Sequence, residues 1–292
     1  MELKLNQYLT PFDLEHTLQC GQLFRWEKHS DWRYGVVEKQ VLKMRQTKDT
    51  LEFEGVNLDF VENYFRLGDN LPQIVSEINR DPLINQAVKA FSGLRIVRQA
   101  PLECLISYIC ATYKNIPAIK NMIHELSKRF GEEITFDNHE FYAFPEIDAL
   151  AKAALYELRD CKLGFRAKFV QETAKMVNCG KVDFKTLKEA DYETAKEELL
   201  QLPGVGNKVA DCVLLFSLEK LEAFPVDVWM KRVVEKHYTN YFDASFIKKL
   251  LKKQSLSTRD YNGLSSFARN YFGKNAGYAQ EYLFHFFRNK AL

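Results

Sequence analysis

The sequence predicts an α+β fold: a small N-terminal antiparallel β-sheet region followed by a mainly helical body containing a helix-hairpin-helix motif. Apolar residues alternate at period two from residue 22 to about residue 56, which is typical of half-buried strands. From about residue 58 they follow the period of amphipathic helices. A Gly-rich turn separates two helical patterns within residues 192–218. We place the domain boundary between an N-terminal sheet domain, residues 1–95, and a helical domain, residues 96–292.

The apolar residues that alternate with polar ones predict four strands with polar turns between them: Phe24 and Trp26; Trp32, Tyr34 and Val36; Leu42 and Met44; Leu51 and Phe53. Short amphipathic helices are expected in VENYFRL, PQIVSEIN and PLINQAVKAF. PLECLISYICATY (101–113) is apolar on most faces and predicts a central buried helix. IPAIKNMIHELSKRFG (116–131) carries one apolar stripe and is expected to end at Gly131. Helical patterns fill the remainder.

Composition limits the class of protein. No apolar run approaches the roughly 20 residues that cross a bilayer, and the opening MELKLNQYLT lacks a secretory signal. The net charge of +2 is weakly basic, so any nucleic-acid binding must rest on local motifs. We expect a cytoplasmic protein, associated with the nucleoid in a bacterium or nuclear in a eukaryote.

The six cysteines are scattered, with no C-x-x-C pair and no zinc-binding spacing. Without a signal segment they are expected to be reduced thiols. None lies beyond Cys212, which argues against an iron–sulfur cluster in the C-terminal region. We expect no metal and no cofactor.

The segment YETAKEELLQ-LPGVGNK-VADCVLLFSL predicts two helices joined by a tight turn that holds Gly204 and Gly206. Glycines permit positive φ and a close approach of the backbone to a ligand. The free N–H groups at the start of the second helix favour an anion such as a phosphate. Such a hairpin can hold a DNA backbone without reading sequence. An ordinary αα-hairpin is the alternative.

Lys208 lies in the first turn of the second helix, where the helix dipole disfavours a cation by roughly 0.3–1 kcal/mol. A lysine amine placed there is a candidate nucleophile. A solvated surface lysine is the alternative. Asp227, just after Pro225, reads by itself as a helix N-cap. Paired with Lys208, its carboxylate could stabilise the positive charge that glycosidic cleavage builds on a sugar.

Several motifs together resemble the 8-oxoguanine DNA glycosylase/AP lyases of the helix-hairpin-helix Gly/Pro-Asp superfamily. They are CGQLFRW (20–26), FSGLRIVRQAPLECLISYICAT (91–112), KLGFRAKFV (162–170), the hairpin with FPVDVWM, and GYAQEYLF (277–284). The resemblance implies a bifunctional base excision repair enzyme. It would flip an oxidised guanine out of double-stranded DNA and excise it. A monomer is our expectation.

Carried over by position, Lys208 resembles the nucleophile that attacks C1′ and forms a Schiff base, followed by β-elimination. Asp227 resembles the catalytic carboxylate. Gly21 corresponds to the glycine whose carbonyl accepts the N7–H of 8-oxoguanine, a contact that normal guanine cannot make. For substrate binding, Cys212 and Phe284 resemble the residues that enclose the flipped base, and Gln280 the amide that reads its Watson–Crick edge.

The resemblance also implies DNA contacts for eight residues: Tyr113, Asn115, Phe165, Arg166, Gly204, Gly206, Val209 and Trp229. Four positions depart from the best-known members, which have tyrosine at 165, asparagine at 113, histidine at 229 and arginine at 118. The largest departure is Ala118 in place of an arginine that reads an opposite cytosine. We expect a weaker preference for cytosine opposite the lesion.

Three alternatives remain open. A glycosylase of the same fold could act on another damaged purine, although alkylpurine enzymes lack the lysine. The endonuclease III and adenine-excising branches usually carry a C-terminal four-cysteine cluster that is missing here. A non-enzymatic helix-hairpin-helix module, or a helical enzyme acting on a small carbonyl substrate, would each leave several of these motifs without a role.

Overall fold

The N-terminal part of the protein is a five-stranded antiparallel sheet with strand order β1-β5-β4-β3-β2. A computed structural model of the chain describes residues 1–8 and 11–290. The strands are β1 (Glu2–Lys4), β2 (Trp26–His29), β3 (Trp32–Val37), β4 (Gln40–Thr47) and β5 (Thr50–Glu54). The antiparallel sheet expected from the alternating pattern is confirmed, and the predicted residues Leu42, Met44, Leu51 and Phe53 of β4 and β5 are buried in one cluster.

The strand β1 and a separate hairpin were not predicted. Only three residues long, β1 is too short to show an alternation, and it pairs with β5 so that Leu3 lies opposite Leu51. The hairpin consists of β6 (Glu133–Phe136) and β7 (His139–Tyr142). Its two turn residues, Asp137 and Asn138, have φ of 51° and 60°, a conformation that Asp and Asn tolerate and that two-residue hairpins need.

The rest of the described chain is mainly helical, as predicted. Its α-helices are α1 (Leu14–Gln19), α2 (Leu58–Tyr64), α3 (Leu71–Ile78), α4 (Pro82–Ala90), α5 (Pro101–Cys110), α6 (Ile116–Phe130), α7 (Ile147–Lys152), α8 (Leu155–Leu158), α9 (Arg166–Asn178), α10 (Phe184–Glu189), α11 (Tyr192–Leu200), α12 (Asn207–Ser217), α13 (Val228–His237), α14 (Ala244–Leu251), α15 (Thr258–Phe272) and α16 (Ala276–Lys290). Short 3-10 turns and one π-helical turn, Arg159–Leu163, connect some of them.

Three apolar clusters hold the described residues together. The largest joins helices from α3 to α16, and the second lies between the sheet and the N-terminal helices. The smallest, Tyr34, Val36 and Val41, packs against the β6–β7 hairpin. The helix α5 is buried from Cys104 to Cys110 and packs against α12, which confirms the predicted central helix. Because α5 packs against α12, it lies directly behind the helical hairpin. Where one domain ends and the next begins stays a prediction.

Within the described residues, no helix combines the length and apolar character needed to cross a membrane.

Candidate active site

The helical hairpin consists of α11, a tight turn and α12. In the turn, Gly204 has a φ of +80°, and a Cβ atom there would lie 2.7 Å from the Cβ of Phe169 on α9. The turn therefore requires glycine at this position. Gly206 is the N-cap of α12, and apart from its two neighbours in the chain no described residue lies within 4 Å of where its Cβ would be. No side chain caps α12, so its first N–H groups can donate hydrogen bonds to an anion.

Lys208, the second residue of α12, is half-buried. Its Nζ lies 4.7 Å from the ring centroid of Tyr108 on α5. This cation–π contact holds the amine over a buried ring at the start of the helix. The positive charge of Lys208 also lowers the pKa values of Cys212 and Asp227 against the larger effect of their burial. Lys208 and Asp227, predicted to act together, thus lie in one electrostatic neighbourhood.

Asp227 is the N-cap of α13. Its Oδ1 accepts hydrogen bonds from the backbone N–H groups of Trp229 and Met230, both at 2.9 Å. Burial raises the pKa of the Asp227 carboxyl, an effect that these two N–H groups and Lys208 partly offset. Asp227 can therefore be both the N-cap of α13 and a catalytic carboxylate, two roles that the sequence analysis considered separately. Both bonds engage Oδ1, which leaves Oδ2 suited to face a substrate.

The turn after α1 meets α16 at a contact that we call the pocket wall, because it joins the predicted base-binding residues Gly21 and Phe284. Gly21 has a φ of +108°, and a Cβ there would lie 2.8 Å from both the Phe284 Cε1 and the Arg288 Nη1. Only glycine fits this close approach. Gln280 is 4% exposed, and its Oε1 finds no hydrogen-bond partner among the described residues. The structure thus brings Gly21 and Phe284 together and places an unused amide oxygen one helical turn before Phe284.

Cys212 lies one turn after Lys208 on α12 and is buried. Burial raises the pKa of its thiol to about 12, so the thiol stays neutral at physiological pH. A neutral thiol is a poor nucleophile. Lys208 therefore remains the better-suited nucleophile of this helix.

The turn before α9 carries an exposed aromatic side chain. Phe165 is 59% exposed, whereas the neighbouring Arg166 is 3% exposed. The Arg166 guanidinium donates to the carbonyl of Thr112, at 3.1 Å from Nε, and packs on the Phe165 ring at 4.4 Å. The adjacent Tyr113 is 87% exposed with a φ of 56°. Phe165 and Tyr113 are thus two exposed aromatic side chains on segments that Arg166 ties together, and their insertion into DNA stays a prediction.

The remaining predicted DNA contacts have local structural roles. Asn115 is the N-cap of α6, where its Oδ1 accepts the Ala118 N–H at 3.0 Å. Val209 is buried, and Trp229 is half-buried, with the Arg232 guanidinium 5.3 Å from its ring centroid. Any contact of these residues with DNA stays a prediction.

Two polar residues of the site escaped the sequence analysis. Tyr108 lies in a helix predicted only as core, and Glu281 follows Gln280 directly. Glu281 is 3% exposed, and burial raises its pKa to about 7. The signal that could have found it is a charged residue inside the apolar stretch GYAQEYLFHFF. In the part of the chain that the structure describes, no group of three or more His, Cys, Asp or Glu could hold a metal ion.

A helical hairpin with a lysine at the mouth of its second helix and a half-buried carboxylate in the same electrostatic neighbourhood is typical of a class of DNA repair protein. The family model for HhH-GPD superfamily base excision DNA repair proteins matches residues 106–253. The model for the N-terminal domain of 8-oxoguanine DNA glycosylase matches residues 4–105. The chain belongs to the 8-oxoguanine DNA glycosylase family within the HhH-GPD superfamily.

Named relatives agree with this assignment. The chain is 32% identical to an N-glycosylase/DNA lyase of Saccharomyces cerevisiae, over 93% of this chain and 82% of the yeast protein. It is 29% identical to the N-glycosylase/DNA lyase OGG1 of Arabidopsis thaliana, over 94% and 77%. The crystal structure of Clostridium acetobutylicum 8-oxoguanine glycosylase/lyase on double-stranded DNA with cytosine opposite 8-oxoguanine is 30% identical. It superimposes with a TM-score of 0.86, covering 97% of this chain and 94% of that one.

Proposed function

We propose that the protein is a bifunctional DNA glycosylase/AP lyase that excises 8-oxoguanine from double-stranded DNA. The observation that carries this proposal is the common electrostatic neighbourhood of Lys208 and the half-buried Asp227. The contact of Gly21 with Phe284, two of the predicted base-binding residues, supports it. A purely DNA-binding module has no use for these groups. The substrate of the Clostridium relative supports oxidised guanine as the base.

The chemistry follows from the roles of the two catalytic residues. The lone pair of the Lys208 amine attacks C1′, and the bond from C1′ to N9 breaks with its electron pair leaving on the base, which takes up a proton. Asp227 stabilises the positive charge that develops on the sugar. Opening of the sugar ring then gives the imine. Loss of a proton from C2′ expels the 3′ phosphate and nicks the strand.

Each residue of the proposed pocket makes a different contact with the damaged base. The Gly21 carbonyl accepts the N7–H that 8-oxoguanine has and guanine lacks. Phe284 and Cys212 enclose the ring, and Gln280 reads its Watson–Crick edge. Phe165 and Tyr113 offset the cost of unstacking by filling the space that the flipped base leaves. The hairpin turn at Gly204 and Gly206 holds a phosphate, while Asn115, Arg166, Val209 and Trp229 line the DNA side.

Borohydride trapping tests the proposal. Borohydride reduces a transient imine, so the protein is expected to form a covalent adduct with a duplex containing 8-oxoguanine. Lys208→Gln should abolish the adduct, whereas Lys248→Gln, a change at an exposed lysine of α14, should leave it intact. Absence of an adduct with the unaltered protein, despite tight binding, would overturn the lyase chemistry.

Two further statements complete the proposal. We expect the active species to be a monomer of 34.1 kDa, and light scattering in the presence of DNA would reveal a dimer. We place the protein in the compartment that holds the genome, the cytoplasm with its nucleoid in a bacterium or the nucleus in a eukaryote. Fluorescence microscopy of the tagged protein tests this location.

A further inference from the structure

Three buried polar atoms at the pocket wall lack partners. Among the described residues, no hydrogen bond reaches Gln280 Oε1, Glu281 Oε2 or Arg288 Nη1. A buried polar atom without a partner costs free energy, and most such atoms in folded proteins are satisfied. Three of them within nine residues of α16 therefore indicate an occupant that supplies the missing hydrogen bonds.

Glu281 shares the pocket-facing side of α16. It lies three residues before Phe284 and seven before Arg288, a spacing that places all three on one helix face. That face packs on the turn after α1, where Phe284 and Arg288 approach Gly21. The Cys20 thiol, one residue before Gly21, lies within hydrogen-bonding reach of the Glu281 carboxyl. Glu281 therefore adjoins the same pocket wall as the predicted base-binding residues.

Charged groups on several helices around the site influence the ionisation of Glu281. Lys208 on α12 and Arg288 on α16 favour its ionised form, whereas Asp227 at the start of α13 opposes it. The Cys212 thiol on α12 and the Tyr108 hydroxyl on α5 are neutral groups in the same neighbourhood. Burial is the largest influence and raises the pKa of Glu281 to about 7. Both forms of the carboxyl are therefore present at neutral pH.

Two unpaired acceptor oxygens on adjacent residues call for an occupant with two donors. The Watson–Crick edge of a guanine-type base presents the N1–H and the 2-amino group side by side, both donors, whereas adenine presents an acceptor at N1. A carboxylate that accepts from such donors forms a stronger, charge-assisted hydrogen bond than an amide does. The chemistry of the two oxygens thus matches guanine and mismatches adenine.

We propose that Glu281 is a specificity-determining residue, whose carboxylate joins Gln280 in accepting the N1–H and 2-amino hydrogens of the extruded base. This inference rests on the proposed function and extends it to a residue to which the family resemblance assigns no role. Because only the ionised carboxylate has both oxygens as acceptors, binding of the base favours loss of the Glu281 proton. Affinity is therefore expected to rise as the pH increases through 7.

The test compares two substrates that differ at this edge. Both 8-oxoguanine and 8-oxoadenine carry the N7–H that Gly21 is proposed to accept, but only 8-oxoguanine has the two donors. Single-turnover excision of each is measured with the unaltered protein, Glu281→Met, Glu281→Gln and the control Glu197→Gln, at an exposed position of α11. Glu281→Met should reduce the preference for 8-oxoguanine by about tenfold or more, the contribution of one charge-assisted hydrogen bond. Glu281→Gln should lie between, and the control should match the unaltered protein.

A second readout separates recognition from a structural role. Binding of an 8-oxoguanine duplex to the Lys208→Gln protein should tighten between pH 6 and pH 8, and adding Glu281→Gln should flatten that dependence. An unchanged preference in Glu281→Met, or an unchanged pH dependence in Glu281→Gln if the Met variant fails to fold, would overturn the inference. Borohydride trapping with the unaltered protein distinguishes the failures, since a missing adduct contradicts the proposed function itself.

Discussion

Asp227 combines a structural task with a chemical one. Its Oδ1 caps α13, and its charge lies in the field of Lys208. Asparagine keeps an oxygen that can cap the helix but removes the charge. We expect Asp227→Asn to slow excision by about 10²–10³-fold with little change in melting temperature. Asp227→Ala should in addition lose about 1 kcal/mol of stability with the cap. A near-normal excision rate in Asp227→Asn would leave Asp227 as a cap alone.

The raised pKa of Asp227 also sets the acidic limit of the reaction. Because burial favours the protonated carboxyl, the ionised fraction declines at a higher pH than it does for an exposed aspartate. The single-turnover excision rate should therefore fall, as the pH is lowered, before an ordinary aspartate titrates. A rate that stays constant down to pH 4 would contradict an ionised Asp227 in the reaction.

Ionisation of the buried Glu281 carboxyl should lower the free energy of unfolding at neutral pH. Its pKa is raised from 4.5 to about 7, so its contribution to stability is fully present below pH 4.5 and is lost as the pH rises to about 7. A shift of this size corresponds to about 3 kcal/mol. The change in the free energy of unfolding caused by Glu281→Gln should therefore be more stabilising at pH 8 than at pH 5, by up to that amount. Urea unfolding at both pH values measures it, and an equal effect at both would contradict a buried, titrating carboxyl.

Among the secondary-structure elements, the hairpin turn contains two glycines whose surroundings differ, so that each can serve as a control for the other. Gly204 has a positive φ and no room for a Cβ, whereas Gly206 has a φ of −99° and open space around it. We expect Gly204→Ala to lower the free energy of unfolding by about 1–3 kcal/mol. Gly206→Ala should preserve stability but weaken DNA binding, since the methyl group obstructs a phosphate. Thermal unfolding and fluorescence anisotropy measure the two effects, and equal behaviour of both variants would contradict this division.

The two helices of the hairpin are joined by a buried network. The carboxylate of Asp211 on α12 accepts hydrogen bonds from the Tyr192 and Tyr261 hydroxyls at 2.6 and 2.5 Å and pairs with Lys196 of α11 at 3.0 Å. The Tyr261 hydroxyl also accepts the N–H of Val226, the residue before Asp227. The network thus connects α11, α12 and the start of α13, and it holds Lys208 and Asp227 in register.

The elements that the sequence predicts are those formed by residues close together in the chain, whereas contacts between distant residues leave little local signal. The strands after residue 22 and the hairpin of α11 and α12 follow from local periodicity and glycine placement. The strand β1 gives no such pattern, because it is only three residues long. The β6–β7 hairpin was overlooked, although Ile134 and Phe136 alternate with Glu133 and Thr135 before the Asp-Asn turn. The buried state of Arg166 depends on the Thr112 carbonyl, a partner distant in sequence, and no local pattern reveals it.

On the scale of the whole molecule, the base pocket draws on segments that are distant in the chain. Gly21 follows α1, which packs with the sheet, whereas Gln280 and Phe284 belong to α16 in the helical body. Sequence motifs identified these residues through resemblance, but their contact depends on tertiary packing. The packing of Gly21 against Phe284, and the unused oxygens beside it, could be learned only from the structure.

This arrangement predicts two levels of DNA engagement. With Lys208→Gln to prevent excision, an undamaged duplex should slow hydrogen exchange mainly in the hairpin, residues 192–218. A duplex containing 8-oxoguanine should also protect residues 14–26 and 276–290, because an occupied pocket connects them. Mass spectrometry resolves these segments. Identical protection by both duplexes would mean that the pocket does not close on the base.

The distance along the chain between the hairpin and α16 also imposes an order on biosynthesis. A ribosome adds Gln280 and Phe284 well after it has made the hairpin. Because α12 and α16 contribute to one apolar cluster and domains generally fold as units, the hairpin should stay incompletely packed until α16 has emerged. A chain that stops before α16 should therefore lack both a stable phosphate-holding turn and the residues proposed to hold the base.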